Sequence, residues 1–472
     1  MYQKESVFLL CLVAILFHTM CFAQQNGDNA GLERPVLDSR GVAEILNNAG
    51  PSSGIGLPSA LKKALKDNPQ FLFSHFDFAS SKANWRAEYG NLFPQLDLSA
   101  SFGAISSEFE SESDSAMTNR QRLVLSQLIY DGGITSSNVN AAEYFSESKK
   151  YQHFKKAESV ALMATQSFFE VIRNRGLIEL CKQNIFEHVY IVELTRIRLS
   201  SGGGSRADVS QAEAALEEAR SRLIQARQGL ADAEAAYVEI FGLAPGSLSM
   251  PERLVNAVPS SSPQGAALAL SNDNALKAAE LGLKQKGEGV KSAKGVFMPR
   301  VSVELSAEHS NNVKGFSKSY NDLTGLLDLD YNLFNGGSDR ESIRKARHEQ
   351  SKARQEVARV RREVVKDMEN AYNFYMATWE LVPVLKEAVD KNAEVVAGYA
   401  YQFRLGKRSL LDLVSAQNAL FNSQQVYLNG HVAHTFSHYR ILAPMSALLK
   451  NLGILVDESG NWSNIPEDDE DD

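Results

Sequence analysis

The sequence predicts a mainly α-helical protein with a small β part, built as duplicated long coiled-coil helical hairpins plus four β-strands per chain. Three observations carry this. First, the 472-residue chain repeats itself at long range. Leu128-Ile129-Tyr130-Asp131-Gly132-Gly133 returns as Tyr331-Asn332-Leu333-Phe334-Asn335-Gly336-Gly337, and Gly202-x-x-Ser205-x-x-Asp208 returns as Gly406-x-x-Ser409-x-x-Asp412. Gly133 and Gly337 are 204 residues apart, and so are Asp208 and Asp412; Pro94 and Pro299 are 205 apart. A period this long is no short solenoid unit; it marks two copies of one large motif. Second, each copy holds two stretches of period-2 alternation. Third, each then holds a helical stretch of unusual length.

In chain order, residues 1–23 read as a secretory signal peptide. Lys4 precedes the apolar run Val7–Phe17, and Cys21-Phe22-Ala23 forms a cleavage site before Gln24. The run is too short to anchor a helix across a bilayer, and Met20 is too bulky for a lipoprotein site at Cys21. Cleavage leaves Cys181 as the sole cysteine, so no intrachain disulfide can form. Residues 24–56, rich in Gly, Asn, Ser and Pro, read as a flexible lead. The first repeat spans 57–242. Leu57 to Asn91 has a helical pattern that Pro94 stops. Leu96, Leu98, Ala100, Phe102 and Ala104 then alternate with Asp97, Ser99, Ser101 and Gly103, as in a strand with one apolar and one polar face. Glu108 to Asn119 reads as acidic loop, and Arg122 to Tyr130 as the returning strand.

After Gly132-Gly133, Ile134 to Leu199 contains no proline, giving a rod of roughly 100 Å at 1.5 Å per residue. It turns at Gly202 and returns as an Ala-rich helix from Ser205 to Phe241. Residues 243–265, with four prolines, link the halves. The second repeat, 266–445, retells the first. Val301, Val303, Leu305 and Ala307 form one strand face, His309 to Asp322 a polar loop, and Leu323 to Asn332 the return strand. Ser338 to Leu405 is the second rod, interrupted by Pro383, and Ser409 to Leu442 its return. Helices this long need coiled-coil partners. Residues 446–472 read as an acidic tail ending in Glu467-Asp468-Asp469-Glu470-Asp471-Asp472.

Several function classes are excluded at this level. The net charge of −8 argues against nucleic acid. There is no HExxH, phosphate loop or nucleophile elbow, hence no catalytic residue, cofactor or enzyme reading. His431, His434 and His438 share a helical face; the reading is a polar face rather than a metal site. The strands suit a membrane barrel wall or a soluble sandwich hairpin equally. If they cross a membrane, four strands cannot close a barrel with a lumen, so the chain must oligomerise.

The Pro before each first strand, the Asp131-Gly132-Gly133 and Asn335-Gly336-Gly337 junctions and the two Gly-x-x-Ser-x-x-Asp tips resemble the TolC family of outer-membrane efflux and secretion channels. None of these motifs is specific alone; their order, twice, over residues 57–445, is. The resemblance implies a homotrimer forming one transmembrane β-barrel in outer-membrane lipid and a periplasmic α-helical tunnel. It also implies partnership with a periplasmic adaptor (membrane fusion) protein and an inner-membrane ABC or proton-driven transporter. The tips would form an iris, with Arg408 tied to Asp208 of a neighbouring chain. Phe403 stands where the family latch has a Tyr, so one hydrogen bond is missing. Asp412 stands at the first acidic ring of the aperture and Ser415 at the second. Asp208 and Asp412 also read as N-terminal helix residues that cap or favour the macrodipole, and Gly202 and Gly406 as turn formers. The Asn335–Arg340 junction is similar to the type I protein secretion branch; multidrug or solute efflux is the alternative cargo, and a soluble periplasmic coiled-coil scaffold the alternative class.

Overall fold

A computed structural model describes residues 36–50, 53–109, 112–312 and 319–454. The signal peptide expected at 1–23 and the acidic run 467–472 lie outside them. The two halves match element by element. In the first, α2 (Leu57–Asp67) and α3 (Pro69–Gly90) are 11 and 22 residues long; in the second, α6 (Ser262–Asn272) and α7 (Asn274–Gly295) have the same lengths. The single helix expected from Leu57 to Asn91 is therefore broken. Pro69 disfavours helical geometry at Asn68, whose side chain instead caps α3 through the Gln70 and Phe71 N–H groups at 3.0 and 3.2 Å. Asp273 caps α7 in the same way, through the Leu276 N–H at 3.0 Å.

Part of the lead read as flexible folds. Helix α1 (Ser39–Ala49) is capped by Asp38, and the i, i+3, i+4 set Val42, Ile45 and Leu46 is buried. The linker also packs: Ile55 bridges to Leu248, which is fully buried. The tail is corrected likewise, since Leu448 and Leu449 of the short α10 (Leu448–Asn451), together with Ile454, are buried. Burial of apolar side chains at about 25 cal/mol per Å² outweighs the composition of the surrounding polar residues.

The sheet comprises β1 (Gln95–Phe109), β2 (Glu112–Tyr130), β3 (Arg300–Asn311) and β4 (Ser319–Asp330), antiparallel throughout in the order β1-β2-β3-β4. Both hairpins run further than the alternation indicated. Ser106 pairs with Ser115 inside the segment read as loop, and Asn311 pairs with Ser319. Ladder hydrogen bonds need only backbone, so Ser, Glu and Asn extend a hairpin that side-chain pattern would end. The apolar face is open: Leu98, Leu323 and Leu327 are 75, 87 and 70 % exposed. On the opposite face Arg122 pairs with Glu304 at 2.7 Å and Arg120 with Glu308 at 3.0 Å, joining the two hairpins.

Two helical hairpins follow the strands. α4 (Ile134–Ser200) and α8 (Ser338–Arg404) are each 67 residues long, and α5 (Arg206–Phe241) and α9 (Leu410–Arg440) return along them. Pro383 does not interrupt α8. Its ring removes one backbone donor, while Met368, Val389 and Val396 on either side are buried and hold the helix in register. Among the described residues no helix is long and apolar enough to cross a membrane. The main core unites both halves around Phe71, Phe168, Ile172, Tyr237, Met368 and Leu428; a second, smaller core lies toward the tips, around Ile191, Leu216, Phe403 and Leu413.

Candidate functional site

The far ends of the helical hairpins carry the candidate gate. Both tips use one backbone solution. Gly202 and Gly406 take φ of +78° and +73°, where a side chain would be strained. Their N–H groups donate to the carbonyls of Leu199 and Phe403, both at 3.0 Å, and the next residues donate to Arg198 and Gln402. Each return helix then opens on a serine cap. At the first tip the Ser205 hydroxyl accepts from the Asp208 N–H at 3.1 Å while Asp208 accepts from the Ser205 N–H at 2.9 Å, a full capping box. These bonds from Ser205 hold the Asp208 carboxyl below its usual range, with a smaller contribution from the charge of Arg198. At the second tip Ser409 caps Asp412 at 3.1 Å, and its hydroxyl donates back to the carboxylate at 2.8 Å.

Within one chain Asp208 and Arg408 are not paired with each other. The Arg408 guanidinium lies over the Tyr399 ring at 3.9 Å, reaches Asp412 only at 3.8 Å, and keeps a buried Nε–H without an acceptor. Phe403 is 3 % exposed, in the tip core of its own chain. Asp412 and Ser415 lie i, i+3 on one face of α9, with Ser415 exposed. The residue that the motifs missed is Arg198. Its Nε donates to the Gly203 carbonyl at 3.0 Å, its Nη1 to the carbonyls of Phe403 and Arg408 at 3.4 Å each, and its guanidinium sits 4.8 Å from the Phe403 ring centre. One side chain thus ties the first tip to the second. Its signal in the sequence was only an arginine in the last turn of a long helix.

The strand-to-helix joints are the second feature. Gly132, Gly133, Gly336 and Gly337 all have positive φ. Asp131 accepts from the Gly133 and Thr135 N–H groups at 3.1 and 2.8 Å, starting α4. Asn335 and Asn332 donate to Asp339 at 3.2 and 2.8 Å at the start of α8.

The histidines of α9 are not the polar face expected of them. His434 and His438 are 3 and 0 % exposed; the first pairs with Thr378 at 3.3 Å and the second with the His434 carbonyl at 2.9 Å. His431 lies 3.0 Å from the Arg253 guanidinium. Burial pushes His431 and His434 down to about 4, and His438 also below its usual value. No group of three His, Cys, Asp or Glu side chains suited to a metal occurs among the described residues.

The sequence pattern of the outer membrane efflux protein family matches residues 60–243 and 266–432. Among similar proteins, the outer membrane efflux protein BepC of Brucella suis is 26 % identical over 77 % of this chain and 79 % of its own length. The outer membrane protein TolC of Vibrio cholerae is 22 % identical over 73 % of this chain and 80 % of its own. The crystal structure of the Campylobacter jejuni CmeC outer membrane channel superposes with a TM-score of 0.74 at 14 % identity, covering 89 % of this chain and 91 % of that one. With four strands in one sheet, two matched helical hairpins and a family pattern running through both, the chain belongs to the outer membrane efflux protein family, the TolC-like channels of the outer membrane.

Proposed function

We propose that three copies of this chain close one barrel in the outer membrane and one helical tunnel beneath it, forming the passive exit duct of a tripartite export system. The observation that carries the reading is the four-stranded sheet with β1 and β4 at its edges and its leucine face uncovered. Four strands cannot enclose a lumen, and open edges do not persist in lipid, so copies must supply each other's missing pairs. The face lined by Arg122, Glu304 and Glu308 becomes the wet interior and the leucine face meets lipid. Energy and cargo choice come from the inner-membrane pump, reached through a periplasmic adaptor. At the tips, Arg408 is held by weak intrachain contacts and Asp208 is a capped, ionised carboxylate, which suits both to a charge-assisted bond across neighbouring copies that an adaptor can displace.

For cargo, the resemblance of the Asn335–Arg340 junction to the protein-secretion branch is the reading from sequence. That junction ties the chain leaving β4 to the first turn of α8, through the Asn332 and Asn335 amides that donate to Asp339, so it carries little cargo information. Solute efflux is the second reading, supported by the similarity to BepC and to the probable efflux pump outer membrane protein TtgC of Pseudomonas putida, 21 % identical over 82 % of this chain.

The test is envelope fractionation combined with gene deletion. The duct reading expects a heat-modifiable trimer in the outer membrane. Release with the soluble periplasmic proteins would sink it in favour of a scaffold. In the deletion strain, retention of a fluorescent efflux dye identifies solute cargo, and loss of secreted polypeptides identifies protein cargo.

A further inference from the structure

One cavity in the helical layer has a chemistry that neither the tips nor the sheet uses. It holds about 490 Å³ between α4, α8 and α9, within the range of small-molecule sites. Its α9 wall is the stripe Asn429, Val432, Ala433, Phe436 and Arg440, spaced i, i+3, i+4, i+7 and i+11 on one helical face. The linker holds a different face of α9. Arg253 lies 3.0 Å from His431 and donates to Thr435 at 3.5 Å, and the Tyr439 hydroxyl donates to the Glu252 carbonyl.

Three rings line the cavity. Phe169 and Phe436 meet edge to face at 5.9 Å, and the ring of Phe374 on α8 lies under the Arg440 guanidinium, 4.6 Å away. The two arginines of the site differ in charge balance. Arg173 is neutralised by Glu170 at 2.7 Å and donates to Asn429 at 3.3 Å. Arg440 forms no ion pair and donates no hydrogen bond among the described residues. An adjoining cavity of about 280 Å³ shares Leu162 and Arg440, but its carboxylates are engaged elsewhere. Asp273 pairs with Lys155 at 2.7 Å, Asp367 with Lys366 at 3.2 Å, and Glu158 accepts from the Leu449 N–H at 3.4 Å. Half-buried Arg440 thus keeps one uncompensated positive charge beside an aromatic wall. A helix C-terminus favours a cation, but that role needs neither the cavity nor the rings.

We infer that this cavity binds aromatic monoanions, with the anionic group on Arg440 and the ring system against Phe374 and Phe436. A guanidinium takes a carboxylate or sulfonate in a two-pronged, charge-assisted pair, and the rings accept the apolar body. The role of the site rests on the duct reading above and deepens it, by naming a class of passenger that the wall contacts. Helix α1 and the linker clothe one side of the helical layer. Inside a tunnel they would block it, so they lie outside and the cavity opens to the lumen. Asp412 stands 28 residues before Arg440 on α9, roughly 42 Å at 1.5 Å per residue. That is several screening lengths in physiological salt, so the acidic aperture does not compete with Arg440 for the bound anion.

The test is equilibrium dialysis of radiolabelled 2-naphthoate against the purified full chain in lipid nanodiscs, with assembled mass measured on the same samples. Saturable binding at one site per chain is expected, and the neutral analogue 2-naphthalenemethanol is expected to compete about tenfold or more weakly. Arg440→Gln is expected to weaken naphthoate binding about tenfold or more, the loss of one charge-assisted pair, and Arg440→Lys to restore part of it. Ala433→Phe, which fills the cavity and leaves Arg440 in place, is expected to abolish saturable binding. Trimers of full mass that bind no naphthoate, that bind the neutral analogue equally, or that bind unchanged after Arg440→Gln or Ala433→Phe overturn the inference and leave the duct reading intact. Saturable naphthoate binding by a chain released with the soluble periplasmic proteins keeps the site and overturns its place in a duct.

Discussion

Helices α4 and α8 have the same length, 67 residues, and leave the sheet through matching Gly-Gly joints, yet α4 buries 26 of its residues and α8 nine. The contrast is one of surroundings rather than of backbone. α4 is covered by α1, α2, α3, α5 and α7 of its own chain, whereas α8 lacks the partner that α7 provides for α4. The side chains have diverged accordingly. Glu158 on α4 is 5 % exposed, while the residue 204 positions on, Arg362, is exposed. Duplication preserved the path of the chain, and burial then acted differently on the two copies: one became the interior of the subunit, the other an open flank.

The comparison can be broken at the joints, where the largest effect is expected. Gly132→Val adds a clash with Met298 and Gly295 to the strain of a positive φ, costing about 3 kcal/mol or more. Gly336→Val carries the strain without an intrachain clash. Gly132→Val is therefore expected to abolish protease-resistant chain in the membrane, whereas Gly336→Val yields folded chain with impaired ring assembly. Protease resistance and SDS-stable mass measure the two, and equal folding defects would contradict the asymmetry. At the tips, Arg198→Ala removes three donated bonds and a ring contact, a loss of about 1–3 kcal/mol. Hydrogen exchange around Gly203 and Phe403 is expected to accelerate about tenfold or more. The quasi-equivalent Gln402→Ala leaves exchange unchanged, and identical profiles for the two variants would count against the tie.

The buried carboxyl gives a third, smaller effect. Burial pushes Glu158 up to about 7, against hydrogen bonding from the backbone of Leu449 and Leu448 that lowers it. Because the folded value lies above the unfolded one, this group's stabilisation is full below pH 4.5 and is lost as pH rises to about 7. Glu158→Gln is thus expected to raise the melting temperature at pH 8 and to flatten its fall between pH 5 and pH 8. An unchanged pH profile would reject this. The smallest effect belongs to the aperture: Asp412→Ala is expected to move the reversal potential in a salt gradient by a few millivolts toward lower cation selectivity, and a value identical to the parent would reject it.

The long helices, the four strands and the positive-φ turns were legible because each leaves a local mark: period, absence of proline, or paired glycines. The break at Asn68-Pro69 was legible in principle, since proline restricts the residue before it, but the break at Asp273 carries no proline and shows only once α7 is capped. Helix α1 escaped notice because Val42, Ile45 and Leu46 sit among Gly, Asn and Ser, and only docking onto α4 makes their short stripe matter. The hairpin ends escaped because ladder bonding ignores side-chain type. At the candidate gate the motifs pointed to Asp208, Arg408 and Asp412, but Arg198 binds backbone carbonyls, and a carbonyl acceptor leaves no complementary residue to find in a sequence.

The most direct test of the gated duct is single-channel conductance of the purified trimer in a planar bilayer. Loss of one charge-assisted bond worth about 1.5–3 kcal/mol shifts a closed–open equilibrium by roughly ten- to a hundredfold per contact. The account predicts a small, cation-preferring parent conductance that rises in Arg408→Ala and in Asp208→Ala. Equal conductance in the parent and both variants would contradict it.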